Sequence, residues 1–291
     1  MTSTMTYEEI LQKIKSLEIQ GAKNVAIKGV EAFGIKMKET SDIKLLEKYA
    51  NEIISTRPTE PGLRNGIDFC LNNIGKMDDP ASKAINHFME NNEKIAEIGS
   101  KKIRDGMIVF THCHSSTVKS VLLKAKEEGK NFEVYNTETR PKFQGRITAT
   151  DLAKAGIKVT HMVDSAGRSM IRKADLFLFG CDAISSEGFL INKIGTESLA
   201  AAAQEAGIPS YSCTDSWKFN PETILGHDEE IEQRNTNEVW ENPPENITIY
   251  NPAFEITRPD IFTGIISELG VYKAETLVLE MQKHYPYLFK K

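Results

Sequence analysis

The sequence predicts an α/β protein with a helical N-terminal domain, residues 1–105, and a C-terminal domain, residues 106–291, built on a doubly wound parallel sheet. Two observations predict this class. Apolar residues recur at helical spacing up to about residue 102, and no clear strand comes before Met107. After Gly106, short apolar runs alternate with helical patterns, as is typical of parallel strands joined by crossover helices. A chain of 291 residues can hold two such units.

Five segments of the first domain carry apolar residues on one helical face. They are residues 10–19, 25–33, 43–54, 67–74 and 80–103. The third pattern ends before residues 57–62, where Pro58, Pro61 and Gly62 break it. The sequence therefore predicts a set of helices with a break near Arg57.

The second domain alternates between strands and helices. Strands are predicted for residues 107–111, 132–137, 158–162, 176–179, 189–192, 210–213 and 247–250. Helices are predicted for residues 116–128, 145–155, 165–173 and 196–206, with a closing helix over residues 271–288.

The composition is that of an ordinary soluble protein, with 26% charged and 40% hydrophobic residues. A net charge of −5 argues against nucleic acid as the main partner but allows a small anion to bind locally. We find no apolar run of membrane length and no leader pattern, so a cytoplasmic location without a membrane partner is expected. The four cysteines are scattered without a C-x-x-C pair, which favours neither a zinc site nor a disulfide framework.

Cys113 occupies the most informative position in the chain. It follows the apolar run of residues 107–110 and precedes a helical pattern that begins near Ser115. Ligands of open α/β sheets collect outside the carboxyl ends of the strands. The N-terminus of a helix favours phosphate and lowers the pKa of a nearby thiol below its usual value of about 8.5. Position alone leaves open whether Cys113 is functional or a small buried apolar residue.

Further polar groups follow other predicted strands. Asp182 comes directly after the apolar residues 176–179, where a carboxylate acts as an acid or base or else caps a turn. Asn192 and Lys193 precede a glycine and a helix start, an arrangement that suits a phosphate. For Glu138 and Arg140, after the second strand, a structural role is favoured over ligand binding.

Weaker signals come from Lys218, from Arg57 and from residues 20–23, which lie at breaks or turns. Metal binding is not expected, because strand alternation points His112 and His114 away from Cys113 and no further ligand cluster completes a tetrahedral set. No G-x-S-x-G elbow supports a serine hydrolase.

Taken together, these motifs resemble those of the archaeal ribose-1,5-bisphosphate isomerases. That family lies in a larger one with methylthioribose-1-phosphate isomerases and regulatory subunits of a translation-initiation exchange factor. The resemblance runs from about residue 19 to residue 270. Its motifs are Gln20-Gly-Ala22, Arg57-Pro-Thr59, Thr111-His-Cys-His-Ser115, Thr137-Glu-Thr-Arg-Pro141, Val163-Asp-Ser-Ala166, Gly180-Cys-Asp-Ala-Ile184, Asn192-Lys-Ile-Gly-Thr196, Lys218-Phe219 and Asn251-Pro-Ala-Phe254.

The resemblance implies a helical N-terminal domain on a Rossmann-like parallel-sheet C-terminal domain that associates into homodimers or homohexamers. It implies that Cys113 is the base and Asp182 the acid. Neither a cofactor nor a metal is expected. The positions that match the sugar-bisphosphate-binding residues are Gln20, Gly21, Ala22, Lys23, Arg57, Ser115, Ser116, Thr117, Asn192, Lys193 and Lys218. Two positions depart from the family pattern, since Gln20 replaces an expected arginine and Cys181 an expected alanine.

The implied reaction converts ribose 1,5-bisphosphate to ribulose 1,5-bisphosphate in AMP and nucleotide degradation. Such chemistry needs a base with a lowered pKa, an acid with a raised one, and little water. Two alternatives remain open. A methylthioribose-1-phosphate isomerase performs the same chemistry, but the Asn-Ala-Gly expected after its cysteine is absent here. Non-catalytic regulatory subunits generally lack the cysteine–aspartate pair, which this chain keeps.

Overall fold

The protein is described here by a computed structural model that covers residues 5–227, 229 and 231–289. It folds as two compact units. The helical unit comprises the residues up to Asn91 together with Trp217–Phe219, and the sheet unit comprises the rest of the chain. The division falls within a helix, whereas the sequence placed the domain boundary near residue 105.

Five helices account for the first part of the chain: α1 (Tyr7–Lys15), α2 (Ala22–Glu39), α3 (Ile43–Ile54), α4 (Pro61–Asn72) and α5 (Pro80–Ser100). Their starts follow from capping chemistry. Thr6 and Glu9 form a reciprocal capping box at α1, and the Asp42 carboxylate accepts the N–H groups of Lys44 and Leu45 at α3. The expected break at Pro61 is instead the first residue of α4, a position where proline loses no helical hydrogen bond.

A short segment from later in the chain, Trp217–Phe219, completes the helical unit. The Asn65 side-chain amide donates to the carbonyl oxygens of Trp217 and Phe219, both at 2.7 Å. The Trp217 indole stacks on the His87 ring, with 3.6 Å between ring centroids. These contacts fix the backbone on either side of Lys218 within this unit.

The sheet unit is built on seven strands: β1 (Ile108–Thr111), β2 (Glu133–Thr137), β3 (Lys158–Met162), β4 (Leu176–Phe179), β7 (Ser210–Cys213), β9 (Gly264–Ser267) and β10 (Gly270–Tyr272). Their order is β10-β9-β7-β4-β1-β2-β3, and every pairing except the one between β9 and β10 is parallel. The fold class predicted from the sequence is confirmed.

The helices of this unit are α6 (Ser116–Glu127), α7 (Gln144–Lys154), α8 (Gly167–Ile171), α9 (Thr196–Glu205) and α10 (Ala274–His284). A core of buried apolar residues joins helices to strands, for example Leu122 of α6, Val109 of β1 and Leu178 of β4. Burial of such side chains is the main stabilising contribution to a sheet covered by helices. Within the described residues, each helix is either too short or too polar to span a bilayer.

A second, antiparallel sheet was not expected. It consists of β5 (Ala183–Ile184), β6 (Leu190–Lys193) and β8 (Phe254–Thr257), in the order β5-β6-β8. The strand predicted over residues 189–192 is therefore present as β6 but belongs to this sheet. The strand predicted over residues 247–250 is wrong, because those residues form no ladder. An apolar run alone does not say whether a segment finds a pairing partner.

Gly145 lets α7 begin directly against the end of β2. A Cβ atom at this position would lie 1.8 Å from the backbone oxygen of Thr137. We expect Gly145→Ala to lower the free energy of unfolding by about 3 kcal/mol, the upper end of overpacking costs, seen as a lower urea midpoint. The matched control is Gly62→Ala, also the second residue of a helix, where the nearest atom would be 3.8 Å away. Equal midpoints for the two variants would contradict the expectation.

Candidate functional site

The sheet unit has its topological switch point between β1 and β4. From β1 the chain runs outward through β2 and β3, then returns to place β4 on the other side of β1. Crevices that bind ligands form at such points, outside the carboxyl ends of the strands. Cys113 follows β1 by two residues and Asp182 follows β4 by three. The two residues therefore flank the switch point.

Cys113 is buried and adopts a left-handed backbone conformation with φ of 66°. Its N–H donates to Thr139 Oγ1 at 3.0 Å, and its carbonyl oxygen accepts from Thr148 Oγ1 at 2.9 Å. The thiol faces the side-chain amide of Gln144, with 3.6 Å between Sγ and Oε1. The cysteine is thus held from both sides of its own backbone.

Burial raises the pKa of Cys113 to about 11. The Lys193 ammonium and the N–H of His114 act in the opposite direction, whereas the charges of Asp182 and Asp164 raise the pKa further. The sequence-based expectation of a lowered pKa is therefore wrong for this structure. The physical reason is that desolvation of the thiolate outweighs the Lys193 cation and the hydrogen bond from the N–H of His114.

This pKa predicts how the thiol responds to pH. We expect the rate of Cys113 alkylation by iodoacetamide to keep rising about tenfold per pH unit up to pH 10, where an ordinary thiol has levelled off. Because Lys193 lowers the pKa of Cys113, Lys193→Met should slow alkylation at any pH below the pKa. Mass spectrometry of the Cys113 peptide measures both rates. Lys173→Met, at an exposed position, is the control; a plateau near pH 8 would contradict the assignment.

Three predicted clusters meet at the carboxyl end of β4. A Cβ atom on Gly180 would lie 2.9 Å from Cβ of Ser115 and 3.5 Å from Oδ1 of Asn192. Glycine at this position therefore allows the turn after β4 to lie between the start of α6 and the end of β6. Asp182 is half-buried, and its N–H donates to Ile191 in the ladder of the small sheet. The structure thus brings the regions of Cys113, Asp182 and Asn192 together.

The N-terminus of α6 suits an anion. Ser115 is its N-cap, and its Oγ accepts the N–H of Val118 at 3.3 Å. The N–H of Lys119 bonds to the carbonyl of Ser115. The first N–H groups of a helix have no partner within it, and among the described residues no acceptor meets those of Ser116 and Thr117.

The N-terminus of α9 is different, because a carboxylate already occupies it. Glu255 of β8 accepts the N–H of Glu197 at 2.8 Å and those of Gly195 and Thr196. Burial raises the pKa of Glu255, although these bonds favour its charged form. The backbone N–H groups of this helix start therefore already have an acceptor, and phosphate binding near Asn192 and Lys193 stays a prediction. The side chains of Asn192 and Lys193 remain as candidate ligands.

His112 ties the end of β1 to the turn that carries Lys193. Its Nε2 lies 2.9 Å from the carbonyl oxygen of Ile194, which can only accept, so Nε2 carries the hydrogen. Nδ1 then accepts from Thr137 Oγ1 at 2.6 Å, and burial lowers the pKa of His112, which keeps the ring neutral.

Among the described residues no group of three or more histidine, cysteine or acidic side chains is arranged to hold a metal ion.

The other candidate residues lie in the helical unit. Residues 20–23 form the start of α2, where Gly21 is the N-cap with φ of 82° and provides no side chain. Ala22 is buried, Lys23 is half-buried, and the exposed Gln20 amide donates to Leu17. Lysine beside an uncapped helix N-terminus is compatible with an anion.

Arg57 and Lys218 both lie near the start of α4 in the helical unit. The Arg57 guanidinium is 3.4 Å from the carboxylate of Glu60, the N-cap of α4. Lys218 is buried, and its Cγ would lie 3.8 Å from a Cβ atom on Gly62. Local patterns marked both residues as weak signals but did not indicate that they lie beside the same helix.

Glu138 and Arg140 have partners within the sheet unit, in line with the structural role favoured for them. Glu138 pairs with Arg146 at 3.5 Å, and the Arg140 guanidinium is 3.5 Å from the carbonyl oxygen of Val239. Residues that sequence reasoning assigned no role surround Cys113 instead: Thr139, Gln144, Thr148 and Asp164. Two of them, Thr139 and Asp164, lie inside motifs that carry the family resemblance. Membership in those motifs was the sequence signal that could have identified them.

Comparison with known proteins finds similarity over nearly the whole chain. Residues 18–274 match the initiation factor 2 subunit family. A ribose 1,5-bisphosphate isomerase of Archaeoglobus fulgidus is 38% identical over 92% of this chain and 91% of its own length. A methylthioribose-1-phosphate isomerase of Dehalococcoides mccartyi is 32% identical over 92% and 90%. The solved structure of translation initiation factor eIF-2B from Pyrococcus horikoshii has a TM-score of 0.82 at 31% identity, covering 94% of this chain and 98% of the other.

Proposed function

Because the chain belongs to the initiation factor 2 subunit family, with ribose 1,5-bisphosphate isomerases among its relatives, we propose that it converts α-D-ribose 1,5-bisphosphate to D-ribulose 1,5-bisphosphate. One observation carries the proposal. A thiol and a carboxylic acid group flank the switch point of the sheet, close enough for the charge of Asp182 to affect the pKa of Cys113.

The first step opens the sugar ring. A sugar phosphorylated on its anomeric oxygen cannot open to a free aldehyde, so ordinary aldose–ketose exchange is blocked. The Cys113 thiolate instead removes the proton from C2, and that electron pair forms a double bond between C1 and C2. The bond from C1 to the ring oxygen breaks, and Asp182 donates its proton to that oxygen. The product is an open-chain enol phosphate.

The second step forms the ketone. The Cys113 thiol returns its proton to C1, and the enol hydroxyl at C2 loses its proton to the Asp182 carboxylate. The carbonyl of ribulose 1,5-bisphosphate results, with thiolate and carboxylic acid restored. Acid–base groups of this kind contribute about 10²–10⁴-fold each to a rate.

The raised pKa of Cys113 affects which of Cys113 and Asp182 holds the proton before the first step. At neutral pH a thiol with a pKa of about 11 is ionised in only about one molecule in ten thousand. Two neighbouring acidic groups hold one proton between them when each disfavours ionisation of the other. Turnover starts from the form with that proton on Asp182, and the nearby Lys193 ammonium stabilises the thiolate.

The substrate phosphates require cations and N–H donors. Those we assign on the sheet unit are Ser115, Ser116, Thr117, Asn192 and Lys193, and those on the helical unit are Gln20, Gly21, Ala22, Lys23, Arg57 and Lys218. The open N-terminus of α6 supports a phosphate there, in the place where a methylthioribose-1-phosphate isomerase needs none. An arginine at position 20 would add a charge that Gln20 lacks.

We further propose that copies of the chain associate through the sheet unit into a homodimer or homohexamer. Large apolar side chains are exposed there, among them Leu225, Trp240 and Tyr250. Exposed apolar side chains of this size are common where subunits meet. Light scattering of the purified protein tests the assembly. The reaction itself would belong to AMP and nucleotide degradation and feed an enzyme that carboxylates ribulose 1,5-bisphosphate.

The deciding experiment compares two substrates. Purified protein is incubated with ribose 1,5-bisphosphate or with methylthioribose 1-phosphate, and phosphorus NMR follows the ketose phosphates. We expect ribulose 1,5-bisphosphate from the first and little or no turnover of the second. Turnover of the second substrate alone would favour the methylthioribose-1-phosphate isomerase. Absence of turnover of both would favour the non-catalytic regulatory subunit.

A further inference from the structure

Two residues beside the proposed reaction centre have an unfavourable backbone conformation. Cys113 has φ of 66° and Thr139 has φ of 61°, in the left-handed region. This conformation costs about 1–2 kcal/mol for a residue with a Cβ atom and is rare for a β-branched one. It persists only where the surrounding structure holds it, often at functional sites. Neighbouring groups must therefore stabilise the left-handed conformation of both residues.

Side-chain hydrogen bonds hold both, from two buried threonines and the half-buried Asp164. Thr139 Oγ1 accepts the N–H of Cys113 at 3.0 Å, and Thr148 Oγ1 donates to the carbonyl oxygen of Cys113 at 2.9 Å. The Asp164 carboxylate in turn accepts the N–H groups of Thr139 at 2.8 Å and Arg140 at 2.7 Å. Both threonines are buried, so water does not compete for these bonds.

The hydrogens can be assigned along this chain of contacts. A threonine hydroxyl has one hydrogen, and that of Thr148 is donated to Cys113. His114 Nδ1, 3.0 Å from the same oxygen, must therefore donate to it. Burial lowers the pKa of His114, which favours the neutral ring with its hydrogen on Nδ1. The Thr148 hydroxyl thus accepts a hydrogen bond from His114 and donates one to the carbonyl oxygen of Cys113.

We propose that Thr139 and Thr148 are positioning residues, whose hydroxyl groups keep the Cys113 backbone left-handed and so aim its sulfur at the reacting carbons. Relaxation of φ to a negative value would rotate the bond from Cα to Cβ and move Sγ away from the position held beside Gln144. Misplacement of a reacting group by about 1 Å can cost on the order of 100-fold in rate. This role rests on the proposed function of Cys113.

The test removes each hydroxyl without changing the side-chain shape. Thr139→Val and Thr148→Val are expected to lower kcat by about 10–100-fold with little change in KM, because the thiol is misplaced while the phosphate ligands remain. Serine at either position keeps the hydroxyl and should restore most of the rate. The matched control is Thr257→Val in β8, since Thr257 is buried and its hydroxyl has no hydrogen-bond partner among the described residues.

A second measurement does not depend on isomerase activity. A released Cys113 is less buried, so we expect faster alkylation by iodoacetamide at pH 8 in the valine variants and a normal rate in the serine variants and Thr257→Val. If Thr139→Val does not fold, Thr139→Ala repeats the loss of the hydroxyl with a smaller side chain. Wild-type alkylation in the valine variants would overturn the proposal even if the protein is an isomerase. Faster alkylation would support it even if the assigned substrate is wrong.

Discussion

Cys113→Ser is expected to lower kcat for ribose 1,5-bisphosphate by about 10⁴-fold while the protein remains folded. The reason is that a serine hydroxyl is a far weaker acid than a thiol, so its conjugate base is not available to take the C2 proton. The hydroxyl is also close to the thiol in size and leaves the packing around Thr139 and Thr148 nearly unchanged. Initial rates, with circular dichroism to check folding, measure the effect.

A matched pair of variants separates loss of chemistry from loss of a sulfur atom. Cys113→Ala and Cys213→Ala both remove a buried thiol of raised pKa from the sheet unit. Only the first should abolish turnover, because Cys213 lies within β7 and has no part in the proposed reaction. Activity that survives in Cys113→Ala would remove Cys113 as the base.

Asp182→Asn should produce opposite changes in two measurements. Turnover is expected to fall by about 10²–10⁴-fold, because an amide cannot donate the proton that the ring oxygen needs. Alkylation of Cys113 should become faster, because the Asp182 charge raises the pKa of Cys113 and its removal lowers that pKa toward the ordinary value. The two changes are measured at the same pH on the same preparation.

Asp260→Asn serves as the control for this variant, since Asp260 is exposed and far along the chain from either group. Neither turnover nor alkylation should change in it. If Asp182→Asn slows turnover and alkylation together, Asp182 only shapes the thiol site. Unchanged turnover would show that another group protonates the ring oxygen.

Much of the fold and the placement of the central residues could be predicted from local patterns. The apolar run before Cys113 and the helical pattern after it became β1 and α6, with Ser115 as the N-cap. The run before Asp182 became β4, the parallel neighbour of β1. Such short-range signals are reliable because burial and capping act on adjacent residues.

The features that could not be predicted depend on residues far apart in the chain. Glu255 occupies the N-terminus of α9 from a strand nearly 60 positions away, so no pattern near Asn192 reveals it. The pKa of Cys113 depends mainly on how completely the folded chain removes water from the thiol, which a helix start in the sequence does not reveal. The strand predicted at residues 247–250 failed because a strand needs a partner as well as a pattern.

The adjacency of β1 and β4 has a consequence for how the protein acquires its chemistry. Cys113 and Asp182 are separated by three crossover connections, from β1 to β2, from β2 to β3 and from β3 to β4. Strands β1 and β4 therefore pair only after the chain between them has closed, at a cost in chain entropy. A nascent or partly melted chain has an ordinary, solvated cysteine at this position and no proton-transfer pair. Activity of the proposed Cys113–Asp182 pair should therefore appear only when the central strands have assembled.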